Sequence, residues 1–311
     1  MSDLPESIVK LRKQLNSVLL GKPRSVELLL TALFASGHLL LEDVPGTGKT
    51  MLAKALALSV DGSFKRVQFT PDLLPSDITG NSIYSPKTGE FNFREGPVFT
   101  NFFLADEINR ASPRTQSALL EAMNEKTISI EGRSCSLRTP FMVIATQNPV
   151  EYAGTYPLPE AQLDRFFMRI AIGYPEESTE KSMLDGDFAN DPCEGITPCM
   201  SCEEILAFQK RVNSVHLEES VKNYLYRIIA ATRNHPAIAL GASPRAFLLF
   251  ARCARSYAFL QGRDFVLPSD IAELAQEVLG HRIVLSGESR QEGVDTSRII
   301  SGILREIPMP S

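Results

Sequence analysis

The stretch His38-Leu39-Leu40-Leu41-Glu42-Asp43-Val44-Pro45-Gly46-Thr47-Gly48-Lys49-Thr50 decides the fold of this chain. An apolar run is followed by a turn with two glycines, and apolar residues at helical spacing continue from Met51. This order is typical of a buried strand that is joined to a helix through a phosphate-binding loop. We therefore predict an ATP site here.

The roles expected of the loop residues follow from local chemistry. Gly46 and Gly48 let the backbone curl so that successive N–H groups point inward, and the positive end of the helix dipole then faces the phosphates. Lys49 is expected to reach the β and γ phosphates, and the Thr50 hydroxyl is expected to bind Mg²⁺. The residues expected to contact the nucleotide are Asp43, Val44, Pro45, Gly46, Thr47, Gly48, Lys49, Thr50 and Met51.

One position departs from the strict pattern G-x-x-x-x-G-K-[ST]. Asp43 stands where that pattern has its first glycine. This glycine starts the turn and is not expected to touch phosphate, so the departure weakens the pattern more than the site. The alternative, a strand-turn-helix corner with a chance Gly-Lys-Thr, is left open by this segment alone.

Two acids end a second apolar strand, Asn101-Phe102-Phe103-Leu104-Ala105-Asp106-Glu107. In an open parallel sheet, ligands bind beyond the carboxyl ends of the strands, where the phosphate loop also begins. Asp106 is therefore expected to orient Mg²⁺ together with Thr50, and Glu107 to position or activate the attacking water. The alternative is that both acids only cap the following helix.

Two further polar residues are candidates for the same site. The strand Phe141–Thr146 ends in Gln147-Asn148-Pro149, and the Asn148 amide could contact the γ-phosphate or the water. Gly241-Ala242-Ser243-Pro244-Arg245 places a Ser cap and a Pro at a helix start. A cation in a first helical turn is unfavourable for the dipole, so Arg245 calls for an anionic partner. The alternatives are a turn-forming Asn148 and a solvated Arg245.

The break Gly173-Tyr174-Pro175 follows the last apolar strand and divides the chain into predicted domains 1–175 and 176–311. Residues from about 70 to 97 are rich in turn and cap residues and predict an excursion from the sheet without a clear core element. A β-hairpin is predicted at about 127–137. Beyond residue 175 the apolar pattern is helical, as in the capping box Ser201-x-x-Glu204.

Composition argues against several classes of partner. The 311 residues carry a net charge of −5, which gives no basic footprint for nucleic acid or an anionic membrane. No segment has the length and apolarity of a membrane span or a secretory signal, so we expect a cytoplasmic protein without direct membrane insertion. The five cysteines are odd in number, and Cys193, Cys199 and Cys202 lack the paired spacing of a zinc site.

Taken together, the motifs resemble those of the AAA+ ATPases, and specifically the MoxR family. The segments that carry the resemblance are Glu42–Thr50 (Walker A), Leu104–Ala111 (Walker B), Ala145–Pro149 (sensor 1), Glu160–Phe166, and Gly241–Ala246 (sensor 2). The resemblance covers almost the whole chain, with the exception of the loop 185–198. It implies an α/β P-loop core with a parallel five-stranded sheet flanked by helices, followed by an all-helical lid domain.

The resemblance also implies a function. Members of the family look like Mg²⁺-dependent ATPases that form rings, commonly hexamers, and remodel, assemble or insert metal into client proteins, often with a partner that carries a von Willebrand A domain. Arg165 matches the arginine finger that acts on the neighbouring subunit, with Arg110 and Arg114 as rivals. Arg245 would sense the phosphates from the lid, which would rotate around Gly173-Tyr174-Pro175.

The segment at 70–97 matches the family's helix-2 insert and the hairpin at 127–137 precedes sensor 1. Two other classes of function compete with a remodelling ATPase. One is an ATP-binding regulatory switch with little turnover. The other, a DNA-acting motor, is disfavoured by the acidic charge balance.

Overall fold

The computed structural model describes residues 4–44, 46–87, 89–130, 133–148, 155–184 and 192–310. Its elements up to the last strand of the central sheet are α1 (Glu6–Val18), α2 (Pro23–Phe34), β1 (Leu39–Glu42), α3 (Lys49–Ser59), β2 (Val60–Asp61), β3 (Phe64–Gln68), α4 (Pro75–Thr79), β4 (Gly80–Ser85), β5 (Glu90–Glu95), β6 (Phe102–Asp106), a 3₁₀ turn (Ile108–Arg110), α5 (Pro113–Glu125), β7 (Thr127–Ile130), β8 (Arg133–Ser136), β9 (Met142–Gln147), α6 (Glu160–Leu163) and β10 (Met168–Ile170). The elements that follow are α7 (Glu177–Leu184), β11 (Met200–Ser201), α8 (Cys202–Asn213), α9 (Glu219–Asn234), β12 (Ile238–Leu240), α10 (Pro244–Leu260), α11 (Pro268–Leu279), β13 (Val284–Leu285), α12 (Gly287–Gln291) and α13 (Thr296–Glu306).

The central sheet has five parallel strands in the order β10-β1-β9-β6-β3. This confirms the α/β fold class and the parallel five-stranded sheet. Glu42 pairs with Gln147, and Gln68 pairs with Asp106, so the carboxyl ends of β1, β9, β6 and β3 lie side by side. The phosphate loop, Asp106, Glu107 and Asn148 therefore lie at one edge of the sheet.

The sheet is buried on both faces, which is why its strands are continuous apolar runs. Leu39 and Leu41 of β1 pack into the core on the side of α1, α2 and α10, whereas Leu40 packs into the core on the side of α5. The alternation follows the two-residue period of a strand. Both faces of each predicted apolar strand are thus covered by a hydrophobic layer.

The excursion at 70–97 contains an antiparallel hairpin, β4 and β5, which the sequence did not predict. Gly80 lies at the base of this hairpin with a φ of +94°, and a Cβ there would lie 2.2 Å from the carbonyl oxygen of Arg94. The hairpin presents two exposed rings, Tyr84 and Phe91, whose centroids are 5.4 Å apart. The predicted hairpin before sensor 1 is present as β7 and β8, and its turn at 131–132 lies outside the described residues.

The C-terminal region is helical, as expected, but it is not entirely so. β12 and β13 form a short antiparallel pair, and β11 pairs in parallel with β2. These strands have two or three residues each, too few for an alternating pattern to be read from sequence. The predicted capping box is present, because the Ser201 hydroxyl accepts the Glu204 N–H and the Glu204 carboxylate accepts the Ser201 N–H.

The helical region packs directly on the core of the same chain. The Ser256 hydroxyl on α10 donates to the carbonyl of Thr31 on α2 at 2.8 Å, and Arg24 pairs with Glu273 on α11 at 2.8 Å. α10 therefore lies on the sheet face that is opposite to α5. In the described parts of the chain, no helix is long and apolar enough to cross a membrane.

Candidate nucleotide-binding site

The phosphate loop has the backbone that its glycines predict. Gly46 and Gly48 have φ values of +86° and +88°, in the left-handed region where glycine carries no Cβ penalty. α3 begins at Lys49, directly after Gly48, so its first free N–H groups face the loop. Thr47 donates its hydroxyl to the Val44 carbonyl at 3.2 Å. Pro45 lies outside the described residues.

Lys49 bends back onto the loop itself. Its Nζ donates to the carbonyl oxygens of Asp43 and Val44, the latter at 2.9 Å. Burial lowers the pKa of Lys49, and the carboxylates of Asp43, Asp106 and Glu107 oppose that shift. Phosphate oxygens could replace the two carbonyl oxygens as acceptors for Nζ.

Asp43 connects the loop to the predicted hinge. Its Oδ1 accepts the Val44 N–H at 2.8 Å, and its Oδ2 accepts the Gly173 N–H at 2.5 Å. Gly173 has a φ of +69°. The acid in place of the usual glycine thus makes a structural contact between the loop and the chain segment that leaves the sheet.

Asp106 is buried at the end of β6 and is surrounded by donors. Its Oδ2 accepts the Thr50 hydroxyl at 3.3 Å and the Arg66 Nη2 at 2.6 Å. Its Oδ1 accepts the Thr146 hydroxyl at 2.6 Å. The structure thus brings the two predicted Mg²⁺ residues, Thr50 and Asp106, together.

Glu107 has a φ of +56°, an unusual value for a residue with a side chain. Its backbone N–H donates to the Thr146 Oγ1 at 2.8 Å. Its carboxylate Oε2 accepts from Gln68 Nε2 at 2.7 Å and from Arg110 Nη1 at 2.9 Å. The carboxylate is therefore held at the mouth of the site by residues on both sides of it.

Asn148 and Met51 complete the surroundings of the loop. Asn148 is buried and follows the end of β9, where the Gln147 carbonyl accepts the Asp43 N–H at 3.2 Å. Asn148 thus lies at the same sheet edge as the loop. Met51 is in the first turn of α3 and packs against the core.

The two arginines predicted to act on nucleotide lie at the other end of the sheet. Arg245 Nη2 donates to Asn124 Oδ1, and Arg165 lines the same surface pocket of about 280 Å³ as Asn124. Asn124 is near the end of α5, about 17 Å along the helix axis from Pro113, which follows the acids. His38, which precedes β1, bonds the neighbouring Met123 carbonyl at 3.1 Å. The structure therefore does not bring Arg165 or Arg245 to the phosphate loop of their own chain.

Comparison with known proteins agrees with the fold described above. A family model for the ATPase family associated with various cellular activities (AAA) matches residues 38–168, and one for the AAA lid domain matches residues 230–303. The chain is 40% identical to Chaperone MoxR1 of Mycobacterium tuberculosis, over 96% of this chain and 81% of that protein. It is 32% identical to Protein MoxR of Paracoccus denitrificans, over 96% of this chain and 94% of that protein.

The chain belongs to the MoxR family of AAA+ ATPases. A crystal structure of a candidate ATPase from Cytophaga hutchinsonii has the same architecture, with a TM-score of 0.90 at 40% identity. The match covers 98% of this chain and 95% of that one. The fold and the lid are therefore shared along nearly the full length of both chains.

The oxygen atoms beside β6 fit Mg²⁺, the metal that a MoxR-type ATPase is expected to use. Thr50 Oγ1 and Asp106 Oδ2 are hard oxygen donors 3.3 Å apart, and Mg²⁺ commonly takes one or two protein ligands together with phosphate oxygens and water. Within the described ranges, no group of three or more His, Cys, Asp or Glu side chains could hold a metal ion. A Mg²⁺ ion of this kind needs no such cluster.

Three residues of this candidate site were missed by the motifs. Arg66 and Gln68 on β3 bind Asp106 and Glu107, and Thr146 on β9 links the two acids. Their polar side chains within predicted strands were visible in the sequence. Their neighbours were not, because the order of strands in the sheet places β3 beside β6 and sequence does not give that order.

Proposed function

We propose that this MoxR-family chain is a Mg²⁺-dependent ATPase that works as a ring of identical subunits, commonly a hexamer, and uses hydrolysis to remodel, assemble or insert metal into client proteins. The observation that carries the proposal is the convergence of Lys49, Thr50, Asp106 and Glu107 at one edge of the sheet. A phosphate cradle alone binds nucleotide. The buried Asp106 and the positioned Glu107 add what hydrolysis requires.

The roles of these residues follow from their positions. Lys49 would exchange its loop carbonyls for phosphate oxygens, and Thr50 and Asp106 would hold Mg²⁺. Bound Mg²⁺ would neutralise charge on the phosphates and orient them. Glu107 would hold the attacking water and accept its proton, and Asn148 would orient that water or the γ-phosphate from β9.

The positions of the two arginines support a site shared between subunits. Arg165 and Arg245 lie near Asn124, at the end of the sheet opposite to the phosphate loop. In a ring that packs this end of one subunit against the loop of the next, both cations would reach the neighbour's phosphates. An arginine finger of this type contributes about 10³ to 10⁵ in rate. Arg110 is paired with Glu107 and Arg114 is exposed at the start of α5, so both remain weaker candidates for this role.

The domain division is part of the proposal. Residues 1–175 would form the nucleotide-binding core and 176–311 the lid, which would be joined at Gly173-Tyr174-Pro175. The exposed Tyr84 and Phe91 of the insert hairpin support client contact at that hairpin, since such rings supply apolar contact area. A relative's name, Chaperone MoxR1, supports a chaperone-like role, and a partner with a von Willebrand A domain is proposed from the family resemblance.

The proposal is tested by phosphate release as a function of protein concentration, with assembly followed by sedimentation. We expect turnover per subunit to rise as rings form. Glu107→Gln should still bind ATP and assemble but lose about 10² to 10⁴ in turnover, the usual contribution of a positioned general base. Glu203→Gln, which neutralises an exposed acid at the start of α8, is the matched control and should behave as the parent.

The competing function is a nucleotide-dependent regulatory switch. It predicts ATP binding without a turnover rate that depends on assembly. A flat, near-zero rate at every concentration that forms rings would favour the switch. A rate that Glu107→Gln leaves unchanged would contradict the role assigned to Glu107.

A further inference from the structure

The turn after α11 buries an arginine that no motif includes. The Arg282 side chain is only 1% exposed, and its Nε donates to Asp164 Oδ1 at 2.9 Å. Its Nη1 donates to the carbonyl oxygens of Phe167, at 3.3 Å, and of Val278. Its Nη2 donates to the Phe166 carbonyl. One guanidinium therefore holds together the lid and the segment that follows α6.

The partner carboxylate extends this connection to a second lid element. Asp164 Oδ2 accepts the Ser243 hydroxyl at 3.2 Å. Ser243 is the N-cap of α10, where its Oγ accepts the Ala246 N–H at 3.1 Å. The chain Arg282–Asp164–Ser243 thus joins α11, the end of α6 and the start of α10.

The two ends of this connection are next to the two arginines already discussed. Asp164 directly precedes Arg165, and Ser243 is two residues before Arg245. Both arginines also face the surroundings of Asn124 on α5. The hydrogen bonds of Asp164 therefore connect the two segments that carry these arginines.

We propose that Arg282 and Asp164 form a clasp, the Arg282–Asp164 clasp, which positions Arg165 and Arg245 as one rigid pair for the ATP of the neighbouring subunit. Arg282 and Asp164 are positioning residues, since they act through the two arginines. This inference rests on the shared site proposed above. It adds that Arg165 and Arg245 are presented together to the neighbouring subunit. It also adds that the lid moves with the segment of its own chain that carries Arg165.

The hydrogen bonds of the Arg282–Asp164 clasp have fixed directions, which an apolar contact lacks. Burial of an ion pair costs desolvation, and a well-packed apolar contact could join α11 to the core at least as firmly. A planar guanidinium with donors in fixed directions, by contrast, specifies the angle between the elements it joins. Burial lowers the pKa of Arg282 to about 10 although Asp164 opposes the shift, so the side chain stays charged at neutral pH.

The clasp also bears on how the lid could move. Asp164 precedes β10, and the predicted hinge at Gly173 follows β10. The clasp therefore connects the lid to a segment of the core that comes before the hinge in the chain. With the clasp closed, α11 does not turn about Gly173 without breaking the buried contacts of Arg282, and α10 does not do so without breaking the bond between Ser243 and Asp164. Rearrangement on hydrolysis is then expected between subunits, at the face that carries Arg165 and Arg245.

The test uses Arg282→Lys, because an ammonium group keeps the charge but does not reach the carboxylate and the carbonyls together. We expect assembly-dependent turnover to fall about 10- to 100-fold, the effect of a displacement near 1 Å. Binding of a fluorescent ATP analogue to dilute subunits should be unchanged. Arg298→Lys, at an exposed arginine of α13, is the matched control and should match the parent in both measurements.

Mixed rings separate positioning from general damage. An Arg282→Lys subunit keeps its own acids, and a Glu107→Gln neighbour supplies an undisturbed Arg165 and Arg245. The mixture should therefore hydrolyse more ATP than the sum of the two proteins measured separately. A mixture that gives only the sum overturns the clasp, because Arg282 would then act within its own subunit.

Two further arms keep the result interpretable. If melting shows that Arg282→Lys does not fold, Asp164→Asn takes its place. Its assembly-dependent turnover should fall about tenfold and should be rescued in the same way by Glu107→Gln in mixed rings. Unchanged turnover in Asp164→Asn overturns the clasp. Arg165→Ala mixed with Glu107→Gln tests the shared site itself. Rescue of Arg165→Ala without rescue of Arg282→Lys refutes the clasp alone, whereas failure of both refutes the shared site.

Discussion

Thr146 offers the sharpest test of how the two acids are held. Its side chain is 1% exposed, its hydroxyl donates to Asp106 Oδ1 at 2.6 Å, and its Oγ1 accepts the Glu107 N–H at 2.8 Å. Thr146→Val keeps the shape of the side chain and removes both hydrogen bonds. A buried carboxylate oxygen and a backbone N–H are then left without this partner.

The size of the effect can be worked from these contacts. A buried polar group that loses its partner costs about 1 to 3 kcal/mol, with charged groups at the upper end. Two such groups predict a loss of about 2 to 5 kcal/mol in the free energy of unfolding, part of which water could recover. For a large domain this corresponds to a melting temperature lower by about 4 to 10 °C.

The same substitution should impair catalysis. The left-handed backbone of Glu107, at a φ of +56°, costs about 1 kcal/mol or more in a residue with a side chain and is stabilised by the bond to Thr146. Without that bond the carboxylate can shift, and a displacement near 1 Å predicts a turnover about 100-fold lower. ATP binding should change little, because the phosphate loop is not touched.

The assays are calorimetric melting and single-turnover hydrolysis, with Thr146→Ser as the control. Serine keeps the hydroxyl and should retain most of the stability and turnover of the parent. A Thr146→Val protein with the melting temperature and turnover of the parent would refute the reasoning. Equal damage in Thr146→Ser would show that the methyl group, and not the hydroxyl, matters.

Two other predictions concern charged groups around the sheet. Arg66→Gln removes a half-exposed cation 2.6 Å from Asp106 Oδ2, so half-maximal binding of a fluorescent ATP analogue should need less Mg²⁺, by about fivefold for an ion pair of about 1 kcal/mol; a higher Mg²⁺ requirement would contradict competition between the two cations. Burial lowers the pKa of His38 from 6.5 to about 4, and its Nδ1 already accepts the Val143 N–H. Between pH 6.5 and about 4, His38 therefore carries a proton in the unfolded chain but not in the folded chain. Its free energy of unfolding should fall by about 3 kcal/mol as pH decreases through the window, and His38→Gln should show a shallower fall in melting temperature with pH; equal slopes would exclude His38 as the cause.

The parts of the fold that were predictable are those in which burial leaves a clear pattern. The strands at Leu39–Leu41, Phe102–Asp106 and Phe141–Thr146 are apolar runs because the sheet is covered on both faces. Parallel strands bring their carboxyl ends together, so Thr50 and Asp106 could be placed in contact before the structure was known. Local rules of strand and loop were sufficient for this edge of the sheet.

The parts that were not predictable depend on long-range packing. β4 has no apolar alternation, and the alternation in β5 is limited to Phe91 and Phe93, which is too short to predict a hairpin without a recognisable partner strand. The neighbours of Arg66 and Gln68 follow from the strand order β6-β3. Arg245 could be recognised as a first-turn cation, but its place beside Asn124 depends on how α10 packs on the core, which no local pattern reports.

The central claim is that one ATP site is built from two subunits, and an equal mixture of Glu107→Gln and Arg165→Ala measures it most directly. Each protein alone should assemble, bind ATP and hydrolyse very little. In mixed rings, Arg165→Ala subunits next to Glu107→Gln neighbours have both an intact Glu107 and an intact arginine. The account predicts phosphate release well above the sum of the separate proteins, and phosphate release equal to that sum in assembled mixed rings would contradict it.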